Sequence, residues 1–198
     1  SAAHLTLKLI NRQENNNKLH LWLNKNIEIH DFDADPGWLG PKRMNHLLAI
    51  SSPEARLNVI NEERHKGSMP MELFLRLKKQ EQAGRLMIHH SPIDEINDKT
   101  ITSNGCHYKY HHILLATGFV NKICNQPLIQ HLIYDEQAPL NSCGYPSLSD
   151  ELEWLPQLFV VGGLADLELG PFARNIMGGK EGAERISKAL HRLNKKIS

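Results

Sequence analysis

The feature that most constrains this chain is a pair of short apolar runs, each closed by glycine. Residues 113–116 (ILLA) lead into Thr117-Gly118, and residues 158–161 (LFVV) lead into Gly162-Gly163 and then towards a helix starting near Pro171. Runs this short and this apolar suit strands buried on both faces, as in a parallel sheet. Glycine straight after such a strand lets the backbone turn sharply and approach a ligand, and free N–H groups at a following helix start favour a pyrophosphate. Two such strand ends in one chain are how an open α/β sheet builds a nucleotide crevice. Taken singly, each also occurs in α/β proteins of unrelated function.

The rest of the chain reads as alternating elements. Residues 1–9 (SAAHLTLKL) read as a helix already under way, 13–18 (QENNNK) as a turn by composition, and 19–23 (LHLWL) as a short strand, together half of a βαβ unit. Residues 27–33 alternate as an extended piece, and 35–41 (DPGWLGP) are turn-rich. Helices are expected over 53–66, stopped by Gly67, and over 70–83, with Pro70 suiting the first turn and Gly84 the C-terminal cap. The two are expected to form one lid-like helical insert. Residues 86–89 (LMIH) are a strand candidate, 93–96 and 100–102 continue extended, and Asn104-Gly105 marks a hairpin returning through 106–110. The proline-punctuated stretch 127–156 reads as irregular. Residues 172–193 read as a last helix weakened by Gly178, Gly179 and Gly182.

Composition removes several function classes. The 198 residues carry a formal charge of only +1, which gives no global field to draw nucleic acid or an anionic membrane. No apolar run approaches the roughly 20 residues that cross a bilayer, and the first residues lack a signal-peptide pattern, so a cytoplasmic protein is the expectation. Cys106, Cys124 and Cys143 form no C-x-x-C, which points to reduced thiols. The adjacent pairs His89-His90 and His111-His112 diverge on a strand and match no metal-ligand spacing, so no metal is expected. No nucleophile elbow or paired-carboxylate site stands out.

Three stretches together resemble flavoprotein oxidoreductases with two dinucleotide-binding domains, in particular the flavin monooxygenase-like and lysine/ornithine N-hydroxylase-like group. They are HHILLATGF (111–119), LFVVGGLADLELGPFARNIMGGKEGAERI (158–186), and DFDADPGWLGPK (31–42) with ERHKGSMP (63–70). The resemblance implies an α/β, Rossmann-like three-layer nucleotide-binding fold, truncated at its N-terminus and carrying a helical insert. Residues 1–115 would be the remainder of the NAD(P)-binding domain and 116–198 the C-terminal part of the FAD-binding domain. The implied cofactors are FAD and NADP, and the implied partners are a nicotinamide nucleotide and a small-molecule substrate.

The resemblance also assigns residues. Ser1 and Ala2 match the positions just after the second glycine of a nicotinamide-nucleotide loop whose glycines are absent, so weak cofactor affinity is expected of this chain alone. Strand 19–23 ends without the acid that bonds the ribose in NAD proteins, making Lys25 the candidate for the 2′-phosphate of NADP; a solvated turn lysine is the other reading. Thr117 and Gly118 fall where the chain passes a dinucleotide. Gly162, Gly163 and Asp166 match the stretch near the FAD ribityl and pyrophosphate, although Ala165 rather than glycine precedes Asp166. Asn175 and Met177 would face the isoalloxazine, or simply pack a helix start on the sheet. Trp38 and Pro36 with Arg64, His65 and Lys66 would line the nicotinamide side, the basic trio alternatively complementing a helix dipole. The implied activity is hydride transfer from nicotinamide to FAD, with oxygen or another acceptor reoxidising the flavin. The rival reading is a non-catalytic fragment or binding module that pairs with a partner. An unpaired strand edge would favour a homo-oligomer.

Overall fold

The computed structural model describes residues 2–12, 18–118 and 125–197. In chain order the elements are α1 (Ala2–Arg12), β1 (Leu19–Trp22), a 3-10 turn (Pro36–Leu39), α2 (Pro41–Ala49), α3 (Pro53–Glu63), α4 (Met71–Gln82), β2 (Leu86–His89), β3 (Glu95–Asn97), β4 (Thr100–Ser103), β5 (Cys106–Lys109), α5 (Pro127–Tyr134), β6 (Glu153–Leu155), β7 (Leu158–Phe159), α6 (Asp166–Leu169) and α7 (Ile176–Ile197). They form a mixed α/β protein with small sheets, divided into two compact units: residues 1–31 with 67–119, and residues 32–66 with 120–198.

The first unit is built on two parallel strands. β1 pairs with β2 in the register Leu19↔Leu86 to Trp22↔His89. Alternation sends Leu19, Leu21, Leu86 and Ile88 to one face, where they meet Ala3, Leu7 and Ile10 of α1 and Leu73 and Leu77 of α4. The spacing Ala3, Leu7, Ile10 is the apolar stripe of an amphipathic helix, and each leucine buried here contributes about 1.5–3 kcal/mol. The other face carries His20, Trp22 and His89, against which Tyr108 of β5 packs edge-on. β3, β4 and β5 form an antiparallel meander. Its second turn is the one expected at Asn104-Gly105, with φ of 48° and 72°, both in the left-handed region that a two-residue hairpin of this type demands.

The second unit brings residues 32–66 together with the C-terminal stretch. Its main core joins Ala34, Trp38, Leu47 and Ile60 to Tyr145, Leu167 and Phe172. Ser52 caps α3 by accepting the Ala55 N–H at 3.2 Å, with Pro53 in the first turn. Arg56 of α3 closes the end of α2 by donating to the Leu48 and Ile50 carbonyls at 2.8 and 2.6 Å. Trp154 donates its indole N–H to the Pro139 carbonyl at 2.7 Å, holding the β6–β7 hairpin over Ile129 and Ala138.

Several expectations are corrected here. The helices at 53–66 and 70–83 form, but not as one insert: α3 packs in the second unit and α4 in the first, because each apolar face finds a different core. Residues 32–66 pack with the C-terminal stretch, which places α3 there and α4 with residues 1–31. Residues 111–118 form no strand; Leu114 and Leu115 are 60% and 79% exposed, since no neighbouring strand pairs with this backbone among the described residues. Residues 158–161 reduce to the two-residue β7, which is antiparallel to β6 rather than part of a parallel sheet. The stretch 127–156 contains helix α5, because Pro127 occupies a first-turn position where its missing N–H costs nothing. α2 starts the same way at Pro41 and was not anticipated. The turn expected at 13–18 lies largely outside the described residues.

Candidate functional site

Within the second unit, five of the sequence-derived site residues, Gly162, Gly163, Asp166, Asn175 and Met177, fall on the stretch that follows β7, with Arg174 among them. Gly162 adopts φ of 68°, a conformation that favours glycine, and no atom lies within 4 Å of where a Cβ would stand. A Cβ on Gly163 would stand 3.5 Å from Nε of Arg174. The helix expected near Pro171 begins instead at Ile176, after a 3-10 turn, α6 and a second 3-10 turn.

Asp166 opens α6 and is fully buried. Arg64, at the end of α3, grips it end-on with both terminal nitrogens: Nη1 donates to Oδ2 at 2.8 Å and Nη2 to Oδ1 at 2.7 Å. Arg174 approaches from the other side, its Nη2 donating to Oδ2 at 2.5 Å and its Nε sitting 3.2 and 3.1 Å from the two oxygens. Arg64 also donates to the carbonyls of Pro171 at 2.9 Å and Gly170 at 3.3 Å. A buried carboxylate needs charge partners, and two planar guanidinium forks satisfy both oxygens. Its side chain therefore presents no edge to a dinucleotide. Tyr145 completes the cluster, its phenol pushed up first by burial and then by the Asp166 charge.

Asn175 sits at the start of α7 as a cap. Its Oδ1 accepts the N–H groups of Met177 at 2.9 Å and Gly178 at 3.3 Å, while its Nδ2 donates to Asp33 at 3.0 Å. Met177 is partly exposed beside Ile176, which is 89% exposed. Gly178 is required where it stands: a Cβ there would lie 2.4 Å from the Phe172 carbonyl oxygen.

Of the aromatic and basic residues assigned to a nicotinamide side, Trp38 is a core residue donating to Glu63 at 2.8 Å. Arg64 serves Asp166, His65 meets the Phe32 carbonyl at 3.0 Å, and Lys66 donates to Asn61 at 2.8 Å. Lys25, Thr117 and Gly118 lie in the first unit. Lys25 pairs with Glu28 at 3.1 Å. Thr117 is exposed, and Gly118 has φ of 80° with open space where a Cβ would project. Ala2 begins α1, half-buried, and Ser1 lies outside the described residues.

The first unit holds a cluster that sequence reasoning missed. His20 Nδ1 lies 2.9 Å from His89 Nε2, Trp22 stacks on His89 with ring centres 4.1 Å apart and planes at 6°, and Tyr108 meets all three rings edge-on. The signal for it was alternation: His20 and Trp22 fall on the face of β1 opposite Leu19 and Leu21. Arg174, the other residue missed, stands directly before the asparagine that was singled out.

No family model matches the chain, and no curated protein matches it. Among solved structures, it is similar to the ornithine N-hydroxylase of Kutzneria sp. 744, solved with reduced FAD, NADP+ and L-ornithine. The TM-score is 0.60 at 14% identity, over 98% of this chain and 52% of that one. The resemblance to the N-hydroxylase-like flavoproteins carried by the sequence is thus found again in the fold, and this chain spans about half the length of that relative. Among the described residues, no helix is long and apolar enough to cross a membrane.

Proposed function

We propose that this chain is part of a flavin-dependent, NADPH-using monooxygenase of the N-hydroxylating type. The observation that carries the reading is the fold shared along 98% of the chain with about half of an ornithine N-hydroxylase. On this reading the first unit belongs to a Rossmann-like nicotinamide-nucleotide domain, with Ser1 and Ala2 at its loop and Lys25 beside the 2′-phosphate. The second unit belongs to the FAD domain. FAD, when bound, supplies the hydride acceptor and the reaction with oxygen.

The residues present fit such a group unevenly. Gly118 and Gly162 leave open the space a side chain would occupy, which suits backbone close to a dinucleotide. Thr117 adjoins Gly118 in the first unit, and in the second Gly163 adjoins Gly162 while Met177 stands in the first turn of α7. Asp166 contributes from behind, fixing Arg174 and Arg64 rather than touching the cofactor. Asn175 takes part by capping α7 and setting the direction of its first turn.

A second reading, a binding module completed by another polypeptide, is favoured by the exposed Leu114 and Leu115 on a segment outside any helix or strand. One experiment separates the two. The whole polypeptide to which this chain belongs, purified from the cells that make it, is expected to carry a visible flavin absorbance band that NADPH bleaches when oxygen is excluded. A colourless polypeptide that takes up no flavin from added FAD overturns the monooxygenase reading.

A further inference from the structure

The histidine pair of the first unit has a geometry that responds to protons. His20 Nδ1 and His89 Nε2 point at one another across 2.9 Å, with the ring planes at 13°. At that distance one nitrogen carries the proton and the other accepts it, so the contact requires one of the two atoms to be unprotonated. The near-parallel rings aim these nitrogens at each other instead of at a shared third point, which is the arrangement of a proton bridge and not of two ligands on one metal ion. The contact ties β1 to β2 on the face that Tyr108 of β5 covers.

The surroundings disfavour added charge. Trp22 lies flat on His89, and its own indole N–H is buried without a hydrogen-bond partner. The other titratable groups bearing on the cluster are Lys18, ahead of β1, and, from β5, the Tyr108 phenol with Cys106 beside it. Lys18 is a cation, and no carboxylate bears on either ring among the described residues. Burial foremost holds both imidazoles below the ordinary histidine value, with Lys18 adding to the effect at His20 and His20 at His89.

We propose that His20 and His89 are an acid-sensitive latch, which at neutral pH locks the β1–β2 pair beneath the meander and on protonation releases it. The sign comes from linkage. The folded unit binds these protons less readily than the unfolded chain does, so the latch's contribution is complete above about pH 6.5 and is lost as pH falls below it. Each proton that the closed form excludes shifts the open-to-closed ratio by up to about tenfold per pH unit.

The test tracks the two imidazoles by NMR while hydrogen exchange reports on residues 100–109, corrected for the intrinsic pH dependence of exchange. The expected result is two separate titration steps below the ordinary histidine value, with protection of β4 and β5 falling together with them. In His20→Gln, which keeps a neutral hydrogen-bonding side chain, the acid loss of protection is expected to shrink. Independent titration of both rings at the ordinary value overturns the proposal, as does protection that stays level to pH 5. The wild-type titration decides the matter even where the variant folds poorly.

Discussion

The two units each bury polar groups in the middle of their packing, and they do so by opposite means. In the second unit the groups are paired charges: Asp166 is held between the guanidinium groups of Arg64 and Arg174. In the first unit they are titratable rings, His20 on His89, that are most comfortable without charge. The difference teaches where each unit is vulnerable. The second fails when a partner is removed, and the first when a proton is added.

The largest effect is expected from Asp166→Ala, which leaves Arg64 buried without its counter-charge. Breaking such a pair costs about 3–5 kcal/mol, read as a lowered denaturant midpoint of the second unit. The matched replacement of Arg64 by Met and Asp166 by Leu sharpens the comparison, because it removes the two buried charges and leaves only the more exposed Arg174 to turn to solvent, and it is expected to recover part of that loss. Equal instability of the single and the paired variants would show that packing, not charge, dominates at α6.

Leu77→Ala is the counterpart in the first unit. Leu77 is fully buried between α1 and the sheet, and truncation is expected to cost about 2–5 kcal/mol, seen in denaturant unfolding of that unit with the second left unchanged. A smaller and opposite pair of effects lies in α7. Gly178→Ala is expected to destabilise by about 1–3 kcal/mol, since the added methyl meets the Phe172 carbonyl. Gly179→Ala, which meets nothing within 4 Å, is expected to stabilise by about 0.5–1 kcal/mol; thermal melts of the two variants should move in opposite directions. The smallest effect is on moderate acidification towards pH 5.5, which should lower the transition of the first unit and leave the charge-clamped second unit in place. Parallel loss in both units would break the contrast.

The glycines of α7 show how far local reading reaches. Sequence marked Gly178, Gly179 and Gly182 alike as weak points in a helix. Only packing separates Gly178, pressed on backbone, and Gly182, whose Cβ would stand 2.8 Å from Val161, from Gly179, which faces open space. The candidate site divides in the same way. Gly118 and Gly162 do adopt the left-handed conformations that only glycine takes readily, and such a backbone preference is a local demand. The partners of Asp166 were not legible, since Arg64 lies 102 residues earlier and stood in the sequence only as one of a basic trio.

The elements that the sequence determined by itself are those whose causes are local. α1 arises from apolar spacing, α3 and α4 from such spacing with a proline at the start and a glycine beyond the end, and the Asn104-Gly105 hairpin from two residues that tolerate positive φ. The tertiary structure alone decided which faces meet. Residues 111–118 have the composition of a buried strand but, among the described residues, no strand beside them, α3 and α4 part company to separate cores, and His20 meets His89 across 69 residues. Helix and turn energies depend on neighbours within a few residues, whereas strand pairing, buried ion pairs and a shared proton depend on groups that only the folded chain brings within reach.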